Sequence, residues 1–410
     1  WLERVEEGAA FRLAFQLPQD WDRLLEALRG LGVAHVHYHH VIGHADRVLG
    51  LARELGVPWD FTAHDFYPMC PAISLTGTDD RYCGEDGSGR CNGCARQAPG
   101  GDLAGWRQRH GEFLGSARAV LAPSRDTAQR YGRMWPTLRL RVARHTDIAT
   151  DAVLPTPKVT PLEAGAPLRV AVLGGLSRIK GADVLEAVAE RAARQGAPIE
   201  FHLIGHGYRS LRTQPHAALT VHGAYQEEDL PRLLEWLRPH LVWFPAQWPE
   251  TYSYTLSACL QAGLPVLAPD LGAFPERLAG RAWSWVLPWD LPANDMVAQL
   301  VRIREAHFGT GVAPEPPALP RTVGAPEPLT WSHDRDYLQG VAARPATGLP
   351  ADLLSASRPE PVAGVDVPRQ PLKRAAMSAV QAARRSAALA WVARLVPAQV
   401  QRRVKDWLLA

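Results

Sequence analysis

Residues 243–270, WFPAQWPETYSYTLSACLQAGLPVLAPD, contain two apolar strands and a helix in close succession. The first strand runs into Pro249-Glu250, the helical sequence TYSYTLSACLQAG follows at once, and GLPVLAPD forms the second strand. Strands that alternate with helices of this length predict a parallel sheet with helices on both faces. Ligands bind such sheets at the carboxyl ends of the strands, so we expect Glu250 to face a ligand.

The same alternation continues on both sides of this stretch. Between about 168 and 307 further strands are predicted for LRVAVLGG, IEFHLIGHG, LTVHG and AWSWVLP, with helices at 181–196, 228–238, 252–262 and 293–307. The first 150 residues repeat the theme in FRLAFQL, VAHVHYHH, VPWDFTAHD, RAVLAPS and LRLRVARH. We therefore predict an α/β protein with two Rossmann-like domains facing a cleft.

Composition shifts suggest where the segments meet. We place a first domain over 1–155, a linker over 156–167, a second domain over 168–338, a flexible linker over 339–370 and a basic helical tail over 371–410. The first domain shows no opening strand with a glycine-rich loop, so the sequence is expected to start inside that domain.

The bulk composition excludes several classes of protein. The 410 residues are 46% hydrophobic and 21% charged, which is typical of a globular chain. A net charge of +3 is too small to indicate a nucleic-acid partner, and no apolar run has transmembrane length. With five cysteines, four of them clustered, the composition suits a reducing compartment, and we expect a cytoplasmic protein.

The segment GGLSRIKGADVL, residues 174–185, has the features of a phosphate-binding turn. Gly174 and Gly175 end a strand, Arg178 and Lys180 supply positive charge, and a helix follows. Glycines let a phosphate approach the backbone, and a helix N-terminus favours an anion. Gly205 ends the next strand in a similar way. A plain strand-to-helix turn with a solvated lysine is the alternative.

A second anion site is predicted at the helix that follows Glu250. The backbone N–H groups of Tyr252, Ser253 and Tyr254 would be unpaired at the helix start and could hold a diphosphate, with Glu250 beside it. The alternative is a glutamate that stabilises the helix N-terminus only.

In this order, GGLSRIKGADVL, FHLIGHG, VHGAY and PETYSYTLSACLQAGLPVLAPDLGAFPE resemble the donor half of the retaining glycosyltransferases of family 4, which have the GT-B fold. The similarity covers about 160–310, and the first half is similar more loosely. In that family, a glutamate beside the donor sugar corresponds to Glu250. The ribose-binding glutamate would fall at Ala258, and the phosphate-clamp arginine at Gly175, while Lys180 is retained. We also expect Glu276, in GAFPE, to lie on a loop that reaches the donor.

The resemblance implies an activity and its partners. A sugar would pass from a nucleotide sugar to a glycan or lipid-linked acceptor with retention, in bacterial surface polysaccharide synthesis. Cations and helix N-termini can stabilise the leaving diphosphate, so no metal is required for catalysis. A non-catalytic scaffold of the same fold, within a larger polysaccharide-assembly protein, and a nucleotide-sugar epimerase are the alternatives.

Histidines in the first domain are candidates for binding the acceptor hydroxyl. HVHYHH places His35, His37 and His39 on one strand face, and FTAHD puts His64 and Asp65 at the next strand end. We select His39, His64 and Asp65 as candidate catalytic groups. Ordinary hydrogen-bonded histidines, or a metal-binding tract, are the alternatives.

Four cysteines lie in the long loop over 66–100, at Cys70, Cys83, Cys91 and Cys94. They could form a structural zinc site, remain thiols, or pair as disulfides. Residues 371–410 alternate arginine and lysine with tryptophan and leucine, which suits peripheral binding to an anionic membrane at its inner face. A solvated helix, or one that packs on another domain, is the alternative.

Overall fold

The structure is a computed structural model that describes residues 2–3, 12–84, 91, 102–149, 152–320, 328–329, 332, 335–336, 339–350 and 352–353. The described residues divide into two compact units. The first unit comprises those in Trp1–Ile73, Gln97–Arg144 and Val323–Pro368, and the second comprises those in Ser74–Arg96 and His145–Thr322.

The first unit is built on a parallel sheet. Its elements are β1 (Leu2–Glu3), β2 (Arg12–Leu13), α1 (Trp21–Gly30), β3 (Val36–Tyr38), α2 (Leu51–Leu55), β4 (Trp59–Thr62), α3 (Leu103–Gly115), β5 (Ala119–Ala122), α4 (Arg125–Met134) and β6 (Leu140–Ala143). β3, β4, β5 and β6 lie side by side in chain order, and the late strand β13 (Pro328–Leu329) joins β6. β1 and β2 pair separately as an antiparallel ribbon.

The second unit repeats the architecture with longer elements. They are β7 (Leu168–Leu176), α5 (Ala182–Gln195), β8 (Ile199–Gly207), β9 (Leu219–Gly223), α6 (Leu230–Leu237), β10 (Leu241–Trp243), α7 (Tyr254–Gln261), β11 (Val266–Pro269), α8 (Phe274–Leu278), β12 (Ser284–Leu287) and α9 (Ala293–Ile303). A π-helical turn, Arg304–Phe308, extends α9.

The strand order of the second sheet reverses between β7 and β10. The order is β12-β11-β10-β7-β8-β9, and every pairing is parallel. Alternate residues of β7 enter two cores: Val170 and Val172 pack towards α5 and α9, whereas Ala171 and Leu173 pack towards α6 and α7. This sheet is therefore buried on both faces, as expected for apolar parallel strands. The reversal creates a topological switch point, where ligands bind in sheets of this kind.

The predicted α/β class with two parallel Rossmann-like sheets is confirmed. The predicted closing residue of α5, Gly196, adopts φ 59° and ends that helix. The stretch over 156–167 packs on the second unit: the Lys158 N–H donates to the Gly263 carbonyl (2.7 Å), and Val159 and Leu162 contact the α5/α9 core.

Residues 74–84 also belong to the second unit, although they come from the long loop of the first half. They form a tight turn in which Thr76 bridges Tyr82, and the Tyr82 N–H donates to the Gln247 carbonyl (2.9 Å). The predicted tail over 371–410 lies outside the described residues. In the described part of the chain, no helix combines the length and the hydropathy needed to cross a bilayer.

Candidate functional site

A cavity of about 650 Å³ opens at the switch point of the second sheet, a size within the usual range for ligand sites. The ends of β7 and β8 form one wall, the start of α6 another, and α7 a third. Its lining residues are Gly174, Gly175, Gly205, His206, Ala224, Tyr225, Glu227, Leu230, Pro231, Leu234, Tyr254, Thr255, Ala258, Gln261 and Ala262.

The strand ends present bare backbone to this cavity. Gly174 has φ 95° and Gly205 has φ 137°, both in the region that favours glycine. A β-carbon on Gly205 would overlap the carbonyl oxygen of Gly174, its register partner. Glycine is therefore required at position 205, and a ligand can approach the main chain here without a side chain in the way.

One side of α7, from Tyr254 at its first residue to Gln261 at its last, lines the same cavity. The helix begins at Tyr254, and its cap residue Ser253 has φ 77°, a conformation that is strained for serine. Tyr254 and Thr255 line the cavity. The first-turn N–H groups of a helix have no partner within the helix, so they can bind an anion. Of the three residues predicted to offer N–H groups, Ser253 is the cap and Tyr254 is the first helical residue, whereas Tyr252 lies before the helix.

Arg277 of α8 holds the chain just before α7. Its Nη1 donates to the carbonyl oxygens of Tyr252 (2.9 Å) and Ser253 (2.8 Å), and its Nη2 donates to Oγ of Ser257 (2.7 Å). The guanidinium lies 4.0 Å from the centre of the Tyr252 ring. Arg277 therefore holds the strained turn from which α7 starts.

The two tyrosines of the turn have different roles. Tyr252 is buried, and its hydroxyl donates to Oδ1 of Asp147 (2.7 Å), while burial raises its pKa. Tyr254 is 53% exposed and stacks on the ring of His145, with centroids 5.4 Å apart. Tyr254 is consequently the tyrosine of this pair that a ligand in the cavity can contact.

Glu250 follows the end of β10, as predicted, and is half-buried outside the cavity lining. Its carbonyl oxygen accepts from the Ala273 N–H (2.8 Å). A β-carbon on Gly272 would lie 2.5 Å from the nitrogen and oxygen of Glu250, so only glycine allows this approach. The hydrogen bond from Ala273 and the close approach of Gly272 thus hold the Glu250 backbone in place. Glu276 lies on the helix α8 and not on the predicted loop, and it is buried outside the cavity lining.

Arg178 and Lys180 do not line this cavity. Nη1 of Arg178 pairs with Oδ2 of Asp80 at 3.0 Å, and its guanidinium lies 5.2 Å from the Tyr208 ring centre. Arg178 lines a separate cavity of about 420 Å³ together with Asp80, Asp183 and other residues. Lys180 is exposed on the turn before α5. Of the predicted phosphate-binding residues, the glycines thus line the cavity, whereas Arg178 and Lys180 lie outside its lining.

In the first unit, the predicted histidines form a ladder across β3, β4 and the residues that follow them. His35 pairs with Asp60 (3.1 Å), His37 with Oγ1 of Thr62 (2.7 Å) and His39 with His64 (2.9 Å), always at a separation of 25 residues. On the other side, Nε2 of His40 lies 2.9 Å from Oδ2 of Asp65. Two of the selected groups, His39 and His64, are therefore in direct contact.

Burial sets the protonation of this ladder. It lowers the pKa of His37 to about 3, with a further contribution from His39, and it also lowers the pKa of His35 and His39. Burial raises the pKa of Asp65, opposed by the Tyr67 N–H and by His40. The lowered pKa keeps the His39 imidazole neutral, so the ring can accept a hydrogen bond or a proton, but it also makes His39 a weaker base than an exposed histidine.

The predicted zinc site remains a prediction. Cys70, Cys83 and Cys91 are partly exposed, and Cys94 lies outside the described residues. No group of three or more side chains suited to hold a metal ion occurs among the residues that the structure describes. Cys259 is fully buried in α7, and burial raises its pKa to about 12, so it is a core residue.

Sequence reasoning missed several cavity residues, above all His206, Glu227 and Gln261. His206 stands between two glycines in IGHG, and the position of a polar residue at a strand end is the signal that could have identified it. Glu227 and Gln261 carry no comparable signal, because only the folding of α6 against α7 brings them to one cavity.

No family model matches the chain, and no curated protein matches it. Solved structures with a similar fold include HepE of Anabaena in complex with UDP (11% identity, 70% of this chain and 73% of that chain, TM-score 0.45). Another is the lipopolysaccharide outer core galactosyltransferase WaaB, with 13% identity over 70% of this chain and 70% of that chain and a TM-score of 0.46. A third is the pneumococcal O-GlcNAc transferase GtfA with UDP and GlcNAc, with 12% identity over 74% of this chain and 60% of that chain and a TM-score of 0.43.

Proposed function

We propose that the protein is a glycosyltransferase that moves a sugar from a nucleotide sugar to a glycan acceptor. The observation that carries the proposal is the cavity at the switch point of the second sheet, where the bare backbone of Gly174 and Gly205 faces the start of α7. This combination suits a diphosphate, and the surrounding sequence is the part that resembles the donor half of family 4 glycosyltransferases.

The residues take the following roles in this proposal. Gly174, Gly175, Gly205 and the first N–H groups of α7 bind the diphosphate, and Glu250, after β10, contacts the donor sugar. A donor that loses its nucleoside diphosphate passes through an oxocarbenium-like transition state. Fixed N–H dipoles stabilise the charge that develops on the leaving diphosphate, and no metal is needed for this.

We assign the acceptor to the first unit. His39 and His64 share a hydrogen bond at the strand ends, and Asp65 holds His40. This group can orient an acceptor hydroxyl and accept its proton. Retention of configuration, a role in bacterial surface polysaccharide synthesis, and cytoplasmic action at the inner face of the membrane complete the proposal.

Nucleotide binding is the first test. Thermal unfolding is followed with UDP, GDP, dTDP, ADP and CMP, and stabilisation by one base is expected because a ligand that binds the native state raises its stability. Sugar transfer is then measured with the matching nucleotide sugars. Absence of stabilisation by all five nucleotides would refute a working donor site.

Replacing Glu250 with alanine tests the catalytic assignment. We expect transfer to fall by at least about a hundredfold while nucleotide binding persists, because Glu250 lies outside the cavity lining. Glu305→Ala removes an exposed glutamate of the same unit and serves as the control. Full turnover by Glu250→Ala would exclude this role for Glu250.

The second candidate is a non-catalytic scaffold of the same fold. Ala258 lines the cavity at the position where the family resemblance expects the ribose-binding glutamate. Nucleotide binding without transfer to any acceptor would favour the scaffold. An altered sugar together with free nucleotide, formed without an acceptor, would indicate an epimerase instead.

Membrane binding by the tail is a separate part of the proposal. Residues 371–410 carry the basic and apolar side chains that suit an anionic surface. Deletion of 371–410 is expected to abolish binding to phosphatidylglycerol-containing liposomes. Equal binding by the full and shortened chains would contradict it.

A further inference from the structure

His206 occupies a special position beside Gly175. The two residues are register partners at the ends of the neighbouring strands β7 and β8. A β-carbon placed on Gly175 would lie 3.4 Å from Cε1 and 3.5 Å from Nε2 of His206. The imidazole therefore lies in van der Waals contact with the place where a side chain at position 175 would start.

The charge of the cavity lining also singles out His206. Of the fifteen residues that line the cavity, all of them described, His206 is the one whose side chain can carry positive charge, and Glu227 is the one carboxylate. His206 is exposed, so its ring nitrogens can reach a ligand in the cavity. A diphosphate bound at this wall would meet an imidazole that can donate N–H hydrogen bonds.

The other nearby cations are placed differently. Arg178, which could have replaced the arginine missing at position 175, pairs with Asp80 and stacks on Tyr208 in the second cavity. Lys180 is exposed outside the lining. His206 is thus the basic side chain that the structure brings to the backbone glycines of the cavity.

We propose that His206 binds the diphosphate of the donor and takes the place of the arginine that the family resemblance expects at Gly175. The phosphate-binding side chain has moved by one strand, from β7 to the register-paired position of β8. This inference rests on the proposed function, because it requires that the cavity bind a nucleoside diphosphate.

Calorimetric titration of the full chain with UDP, GDP, dTDP and ADP, each compared with its nucleoside, tests the proposal. His206→Ala is expected to weaken binding of the diphosphate about tenfold or more, since a hydrogen bond to a charged group is lost. Binding of the nucleoside should not change, because His206 acts on the phosphates. His216→Ala, which removes an exposed histidine outside the cavity, is the matched control.

A pair of compensating variants separates a binding role from a structural one. His206→Arg should retain diphosphate binding, because it places an N–H donor at the same strand end. Gly175→Arg combined with His206→Ala should recover much of the affinity that His206→Ala alone loses, because it restores a cation on the neighbouring strand. A merely structural histidine would not be rescued from position 175.

The outcomes are distinct. A selective loss of diphosphate affinity in His206→Ala, with rescue by either arginine variant, supports the proposal. Equal diphosphate affinity in His206→Ala and wild type overturns it while the proposed function stands. Absence of nucleotide binding by the wild type overturns both.

Discussion

Replacing Arg277 with methionine tests how the start of α7 is held in place. The substitution keeps an unbranched apolar stem and removes the guanidinium. It deletes the donors to the carbonyl oxygens of Tyr252 and Ser253 and to Oγ of Ser257, as well as the contact with the Tyr252 ring. The turn that it leaves unsupported contains Ser253 at φ 77°.

The contacts set the expected magnitude. Each hydrogen bond from a charged donor contributes about 1.5–3 kcal/mol, and a cation–π contact about 0.5–2 kcal/mol. Ser257 is only 2% exposed, so its hydroxyl loses the Arg277 donor in a buried site. The contributions do not add fully, and solvent can reach the partly exposed end of the turn. We expect the free energy of unfolding to fall by about 3 kcal/mol.

Urea unfolding and nucleotide titration measure the two consequences. The unfolding midpoint of Arg277→Met should fall, and nucleoside diphosphate affinity should drop about tenfold because the helix N–H groups are no longer fixed. Arg302→Met, which changes an exposed arginine on α9, is the control. An unchanged midpoint together with unchanged affinity would refute the role assigned to Arg277.

Three further predictions follow from the described contacts. Gly205→Ala should destabilise the protein by more than about 2 kcal/mol and abolish nucleotide binding. Gly165 also has a positive φ but faces open space, so Gly165→Ala should lower the free energy of unfolding by only about 1 kcal/mol. Equal losses in urea unfolding would contradict the steric explanation. Arg178→Met should lower the stability of the turn that carries Asp80 yet leave diphosphate affinity within about twofold in calorimetry, and a large loss of affinity would place Arg178 at the donor. Since the folded-state pKa of His37 is about 3 and its ordinary value is 6.5, the unfolded chain binds a proton that the folded chain does not, so stability falls as pH drops from 6.5 towards 3. His37→Gln should reduce this acid-induced loss by about 2 kcal/mol between pH 7.5 and 5, and an identical pH dependence in the two proteins would contradict it.

The alternation of apolar strands and helices was sufficient to predict the parallel sheet of the second unit and its main helices. Apolar periodicity is local, so α6, α7 and α9 were predicted within a few residues of their observed bounds. The first half was harder to predict because its strands are short. β2 covers only Arg12–Leu13 of the predicted strand FRLAFQL.

The sequence predicts which histidines of the ladder share a strand face, but not their partners. The period of two places His35, His37 and His39 on one face from the sequence alone. Their partners are set by the register of β3 against β4, which opposes His37 to Asp60 and so brings His39 to His64. Strand register depends on non-local packing, and a shift of one residue would have given different pairs.

The sequence by itself determined that the chain forms parallel α/β sheets and that glycines and an acidic residue stand at the strand ends, because these features follow from local pattern and backbone freedom. Only the tertiary structure decided which charges reach the cavity. It directs Arg178 to Asp80, a partner 98 residues away, and brings His206 beside Gly175 from the neighbouring strand. The physical reason is that the direction of a side chain depends on the elements packed around it, and these come from distant parts of the sequence.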